Sequence, residues 1–159
     1  MTECANVLGI PRAQADTYIK NYFQRYAGVK TYIDQTIAEV KQTGVAKTLY
    51  GRQRPIPDIL SRNPAARGFA ERTAVNTPLQ GTAADLIKAA MLKIAARLQA
   101  ENWQSKMLLQ VHDELVFEAP PEETTPLAKM VKQEMEGIRA LNVPLVVETG
   151  AGDNWRDAK

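Results

Sequence analysis

Three polar residues, His112, Asp113 and Glu114, separate the run Lys106-Met107-Leu108-Leu109-Gln110-Val111 from the run Leu115-Val116-Phe117-Glu118. The flanking runs are rich in aliphatic and aromatic residues and read as two strands, with the polar break as the turn between them. A pair this apolar is expected to be largely buried. That would hold the turn stiffly and set the three side chains on one rigid rim. Two adjacent carboxylates on such a rim suit a hard cation such as Mg²⁺, which takes oxygen ligands. From spacing alone the alternative is an acidic, solvated hairpin turn, because turns favour Asp. His112 is the only histidine in the chain.

A second cluster of chemistry-bearing residues is basic. Lys41, Lys47, Arg52, Arg54, Arg62, Arg67 and Arg72 lie between positions 41 and 72 with few acids among them. The net charge of +2 is too small to imply a nucleic-acid partner by itself. A local basic band can still serve phosphates, and otherwise it is a solvated face.

The elements that must position these groups follow from the periodicities. The 159 residues fit one domain or one large piece of a bigger protein, with 45% apolar and 24% charged residues as in an ordinary globular chain. Cys4 is alone, which excludes an internal disulfide framework and a cysteine-rich metal site. No apolar run is long enough to cross a membrane and no signal peptide is visible, so a cytoplasmic setting is expected.

Residues 1–9 could form a short helical lead. Ala15, Ile19, Tyr22, Phe23 and Tyr26 follow Pro11 at helical spacing, and Gly28 is expected to break that helix. A second helix is expected from about Val29 to Gln42, ended by Gly44, so that the two form a helical hairpin. Val45 to Tyr50 suggests a short strand, Gly51 to Pro55 a turn, and the whole an exposed basic hairpin. A third helix is expected from about Pro64, stopped by Pro78. A fourth would start with Thr77 as N-cap and Gln80 completing a capping box. Its apolar stripe is Leu79, Ala83, Leu86, Ala90, Ile94 and Leu98, with Ile87 and Met91 widening it. After Pro120-Pro121, a fifth helix carries Leu127, Met130, Val131, Met135 and Ile138, and Val143 to Thr149 reads as a third strand. Helices followed by strand-strand-helix-strand suit an α+β layer, a small sheet covered by helices on one face.

Several of these stretches match a known family in order along nearly the whole chain. Leu109-Gln110-Val111-His112-Asp113-Glu114-Leu115-Val116-Phe117-Glu118 resembles the motif C hairpin in the palm of the DNA polymerase I family, family A. Asn76-Thr77-Pro78-Leu79-Gln80-Gly81-Thr82-Ala83-Ala84-Asp85-Leu86 resembles the helix junction before that hairpin. Thr48-Leu49-Tyr50-Gly51-Arg52-Gln53-Arg54 resembles the family's basic hairpin, and Gly150 to Trp155 its C-terminus.

The resemblance implies a partial right-hand polymerase fold with a small antiparallel palm sheet covered by helices. Residues 1–45 would be a helical segment from the end of the fingers. Residues 46–159 would be a palm portion. The palm strand with the first catalytic aspartate and the fingers helix that grips the incoming nucleotide have no counterpart here, so the chain is expected to be a C-terminal piece. Its implied partners are primer-template DNA, dNTP, the N-terminal part of the polymerase, and other copies through exposed palm surface.

By the same resemblance, Asp113 and Glu114 are the expected catalytic carboxylates. Asp113 would be a shared ligand of two Mg²⁺ and Glu114 would be accessory. His112 is expected to contact the primer strand near its 3′ end. Gln80 and Asn76 are expected at the minor groove of the primer-terminal pair. Arg72 is expected to face the same duplex, with Arg52 and Arg54 on phosphate. Asp16, Asp34 and Asp85 fall in expected helices, and Asp58, Asp153 and Asp157 in loops, so none substitutes for the absent aspartate. The implied function is templated nucleotidyl transfer in replication or repair, with the piece alone inactive. The alternative is a non-catalytic DNA-binding module that retains the palm hairpin. A metal-binding domain unrelated to nucleic acid is disfavoured by the arginine band.

Overall fold

The computed structural model describes residues 7–158. Residues 1–6 of the expected helical lead lie outside them. The element order is α1 (Arg12–Arg25), α2 (Ala27–Thr43), β1 (Val45–Lys47), β2 (Gln53–Pro55), a 3₁₀ turn (Pro57–Leu60), α3 (Pro64–Ala100), β3 (Lys106–Val111), β4 (Glu114–Glu118) and α4 (Pro121–Glu136). The chain forms two compact units. One runs to Lys47 and includes Gln53–Pro78; the other comprises Thr48–Arg52 and the chain from Leu79 onward.

In the first unit the carbonyl of Pro11 accepts from the backbone N–H groups of Gln14 and Ala15 and so starts α1. The break between α1 and α2 falls at Tyr26, with φ −114° and ψ 58°, and not at Gly28. Gly28 sits in the first turn of α2, where backbone donors need no partner in the preceding turn. Gly44 ends α2 as expected, in the left-handed conformation at φ 73°, its N–H bonded to the Val40 carbonyl. β1 and β2 pair antiparallel with Ala46 opposite Arg54, so the basic hairpin forms. Its turn spans Thr48–Arg52, closed by Thr48 N–H to the Arg52 carbonyl, and Arg54 belongs to the strand. Val40, Ala46, Ile56, Ile59, Ala70 and Ala74 make this unit's core.

The expected third and fourth helices are one helix, α3, with Pro78 inside it. Proline there removes an intrahelical donor, which ordinarily costs about 3 kcal/mol. Tertiary packing overrides that cost, because Ala70 and Ala74 are anchored in one core and Ala90 and Ile94 in the other. Thr77 consequently does not cap a new helix. Its hydroxyl donates back to the Thr73 carbonyl at 2.7 Å, and no capping box with Gln80 forms.

In the second unit Ala90 and Ile94 of α3 meet Leu127, Met130 and Val131 of α4, with Leu98, Trp103, Leu115, Phe117, Met135 and Ile138 packed around them. Ala90, Ile94 and Leu98 of the expected stripe are therefore core, whereas Leu86 is only partly buried, Ala83 is exposed and Leu79 is 62% exposed. Arg97 joins the two helices by pairing with Glu134 on α4, and it also pairs with Glu101 just past the end of α3. Hydrogen bonds to Glu101, then to Glu134, raise the Arg97 pKa. Glu123, in the first turn of α4, accepts from Gln104 N, Ser105 N and Ser105 Oγ, fixing the entry to β3.

Two expectations about the strands fail. Leu108 and Leu109 are 54% and 44% exposed, so the β3–β4 pair is not largely buried. A two-stranded ribbon can lay only one face on the helices. β3 also carries a register shift between Met107 and Leu109 that leaves Leu108 outside the ladder. The third strand over Val143 to Thr149 does not form. The backbone N–H of Val147 donates to the Glu136 carboxylate, and Val143 and Val146 stay exposed. The described sheets are two separate antiparallel pairs, β1–β2 and β3–β4.

Candidate functional site

The turn of the second hairpin is built from its ladder. Val111 pairs with Glu114, leaving His112 and Asp113 as a two-residue loop. Such loops require a left-handed first residue to match the strand twist, and His112 supplies it at φ 54°. The side-chain amide of Gln110 donates to the His112 carbonyl and braces the loop. Beneath it, Leu115 and Phe117 point into the α3–α4 core. The turn is thus held from one face of β4, although the ribbon's other face is open.

His112, Asp113 and Glu114 are all exposed, as expected. Glu114 is the first residue of β4 and not part of the turn proper. Two carboxylates with oxygen donors turned to solvent suit Mg²⁺, which prefers near-octahedral oxygen. Among the described residues no group of three His, Cys, Asp or Glu side chains could hold a metal ion. The two adjacent carboxylates, Asp113 at the tip and Glu114 beside it, could supply only part of a Mg²⁺ shell.

The other candidates lie on α3 and the first hairpin. Arg72, Asn76 and Gln80 are exposed on α3. The Arg72 guanidinium lies 6.0 Å over the Phe69 ring, an arrangement that stiffens a long side chain. Arg54 is exposed on β2. Within the basic band, Lys41 pairs with Glu71 and Arg67 donates to the Ser61 carbonyl. Among the described residues Lys47, Arg54, Arg62 and Arg72 have no acidic partner within ion-pair distance.

Arg52, expected on phosphate, is exposed but also engaged on α3. Its Nε donates to Asp85 Oδ1 at 2.8 Å and its Nη2 to the Gly81 carbonyl at 3.0 Å. The same tip is held by Leu49 N–H to the buried Thr82 hydroxyl at 3.0 Å and by Arg139 stacked 5.0 Å over the Tyr50 ring. Gly81 permits this approach, since a Cβ there would lie 2.6 Å from Thr48 Cγ2. Sequence reading missed Asp85 and Thr82 because their partners are 33 residues away. The signal present was a carboxylate and a glycine one helical turn apart in Gly81-Thr82-Ala83-Ala84-Asp85.

Comparison with known proteins bears directly on this geometry. DNA polymerase I of Streptococcus pneumoniae serotype 4 is 48% identical over 155 residues, 98% of this chain and 18% of that protein. DNA polymerase I of Bacillus subtilis is 50% identical over 152 residues, 96% of this chain and 17% of that protein. Among solved structures, the POL domain of Pol1 from M. smegmatis, in complex with DNA primer-template and dNTP, superposes with a TM-score of 0.94 at 38% identity. That match covers 97% of this chain and 27% of the POL domain chain. The chain thus spans less than a fifth of the length of these curated relatives. DNA polymerase family A matches residues 1–157, and with relatives this similar the chain belongs to that family.

Proposed function

We propose that this chain supplies part of the polymerising centre of a DNA-directed DNA polymerase. In that reading the primer 3′-OH forms a bond to the α-phosphorus of a dNTP as the bond to pyrophosphate breaks. The observation that carries it is the braced hairpin end, where the two-residue turn His112-Asp113 and the first β4 residue, Glu114, are exposed to solvent on a hairpin anchored by Leu115 and Phe117. The relatives named DNA polymerase I, and the neighbour bound to primer-template and dNTP, support the same reading.

Asp113 is assigned as the metal-holding carboxylate, Glu114 as accessory, and His112 as a contact to the primer end. Asp113, with Glu114 beside it, would hold Mg²⁺, which would supply activation of the attacking oxygen and counter-charge for the leaving group. Asn76 and Gln80 are assigned to the minor groove of the terminal pair. That groove presents acceptors on every base pair, so an amide there senses pair shape without reading sequence. Arg54 and Arg72 are assigned to phosphate. The half-exposed Leu108 and Leu109 would face the rest of the polymerase. In the isolated chain they would face a second copy.

One aspartate at a turn does not complete two metal shells, so the chain alone is expected to bind duplex DNA and not extend a primer. Fluorescence anisotropy should show sequence-independent binding that weakens with salt, because phosphate contacts release counterions. Templated dNTP incorporation with Mg²⁺ and then Mn²⁺ should be absent. Robust incorporation by the pure chain, or no duplex binding at low salt, would contradict the assignment. The alternative, a DNA-binding module without catalysis, expects the binding but also expects no loss of synthesis when Asp113 is replaced in a larger polymerase.

A further inference from the structure

We propose that Asp85 is a positioning residue that holds Arg52 out of the DNA-contacting set, leaving Arg54 as the hairpin arginine that meets phosphate. The proposal rests on the reading of this hairpin as a DNA contact. The Asp85 side chain is 13% exposed, and its second carboxylate oxygen, Oδ2, is buried with no hydrogen-bond partner among the described residues. A partly buried carboxylate in that state depends on a single cation for its compensation, and Arg52 Nε at 2.8 Å is that cation. The Nη2 of Arg52 is engaged by the Gly81 carbonyl, a group whose N–H···O geometry fixes the plane of the guanidinium. Nε and Nη2 are therefore engaged on α3 before any DNA arrives, while the Arg52 side chain as a whole stays 54% exposed.

The surrounding contacts make this a clamp on the whole tip. Leu49 N–H reaches Thr82, Gly81 admits Thr48 at a distance no side chain would allow, and Arg139 covers Tyr50. The tip Thr48–Arg52 and α3 from Leu79 belong to the same compact unit. Arg54, two residues on, is an exposed strand residue and has no acidic partner among the described residues. The two arginines of Gly51-Arg52-Gln53-Arg54, alike in sequence, thus hold different jobs. Arg52 fixes the tip to the helix, and Arg54 is available to the phosphate backbone.

The test has two independent arms on the full chain. In duplex binding, Arg54→Ala should reduce the slope of log affinity against log salt by about 0.9, the value of one phosphate contact. Arg52→Ala should leave the slope unchanged. Asp85→Asn should steepen it by a similar amount, because Arg52 is released while its charge remains; a role confined to folding would not move this slope. In thermal melting without DNA, Arg52→Ala should lower the Tm more than Asp85→Asn does. Adding Asp85→Asn to Arg52→Ala should recover part of the loss, since it removes the stranded carboxylate. A slope flattened by Arg52→Ala as much as by Arg54→Ala would overturn the proposal. So would melting effects that simply add. If the chain binds no duplex, the DNA-contact reading fails, and additive or coupled melting still decides the clamp.

Discussion

At the scale of single residues, the functional reading depends on which polar groups the fold leaves unengaged. Asp113 and His112 occupy a loop of only two residues, and the left-handed backbone of His112 is the cost of making it that short. Gln80 is exposed on α3, and its amide is not tied into the capping box that its spacing suggests. An amide that makes one hydrogen bond to the terminal base pair contributes about 0.5–1.5 kcal/mol. Gln80→Ala, in a full-length family A polymerase carrying this chain in the matching segment, should therefore slow extension of a matched primer end several-fold. Extension of a mismatched end should fall less, so the ratio of the two narrows. Single-nucleotide extension rates from both ends measure this, and an unchanged ratio would remove Gln80 from the minor groove. The distinction between Arg52 and Arg54 was not legible in the sequence, because it depends on Asp85, 33 residues from Arg52.

Among the elements, the long-period signals were readable and the junctions were not. The two early helices, the basic hairpin, the β3–β4 pair and α4 all follow from apolar spacing and from Gly44. Pro78 misleads because local propensity reads it as a stop. The two ends of α3 are instead held in two different cores, and the helix runs through it. The segment Val143 to Thr149 misleads because a run of strand-forming residues makes a strand only if an edge is there to pair with. Here Glu136 takes the Val147 N–H. The weight that packing carries in α3 can be checked at Ile94, which is fully buried. Ile94→Ala should cost about 2–5 kcal/mol in chemical denaturation. A loss below about 1 kcal/mol would mean that the α3–α4 core is not tightly packed.

Glu123 offers a second test at this scale, through pH. Hydrogen bonds from Ser105 Oγ, then from Gln104 N, lower its pKa below the ordinary carboxylate value. The folded-state pKa is thus lower than the unfolded one. The stability it contributes is present above the unfolded value, about 4.3 for Glu, and is lost as pH falls through the folded value. Tm measured from pH 7 down to pH 3 should fall less steeply for Glu123→Gln than for the unaltered chain, although the variant starts lower. Parallel curves would show that the Glu123 bridge to β3 makes no pH-dependent contribution.

At the scale of the whole molecule, the chain is a member of DNA polymerase family A whose parts divide between chemistry and DNA binding in the proposed reading. Two compact units, one braced acidic turn and several exposed arginines without an acidic partner among the described residues lie in a chain that spans less than a fifth of its relatives. The central claim is that Asp113 works in the chemical step and the arginines and amides hold the DNA. Its direct test is the single-turnover rate of dNTP incorporation, measured with primer-template affinity, in a full-length family A polymerase carrying this chain. Asp113→Ala should reduce the rate by several orders of magnitude with DNA affinity nearly unchanged, and Glu114→Gln should reduce it far less. Near-normal single-turnover incorporation after Asp113→Ala would contradict the account.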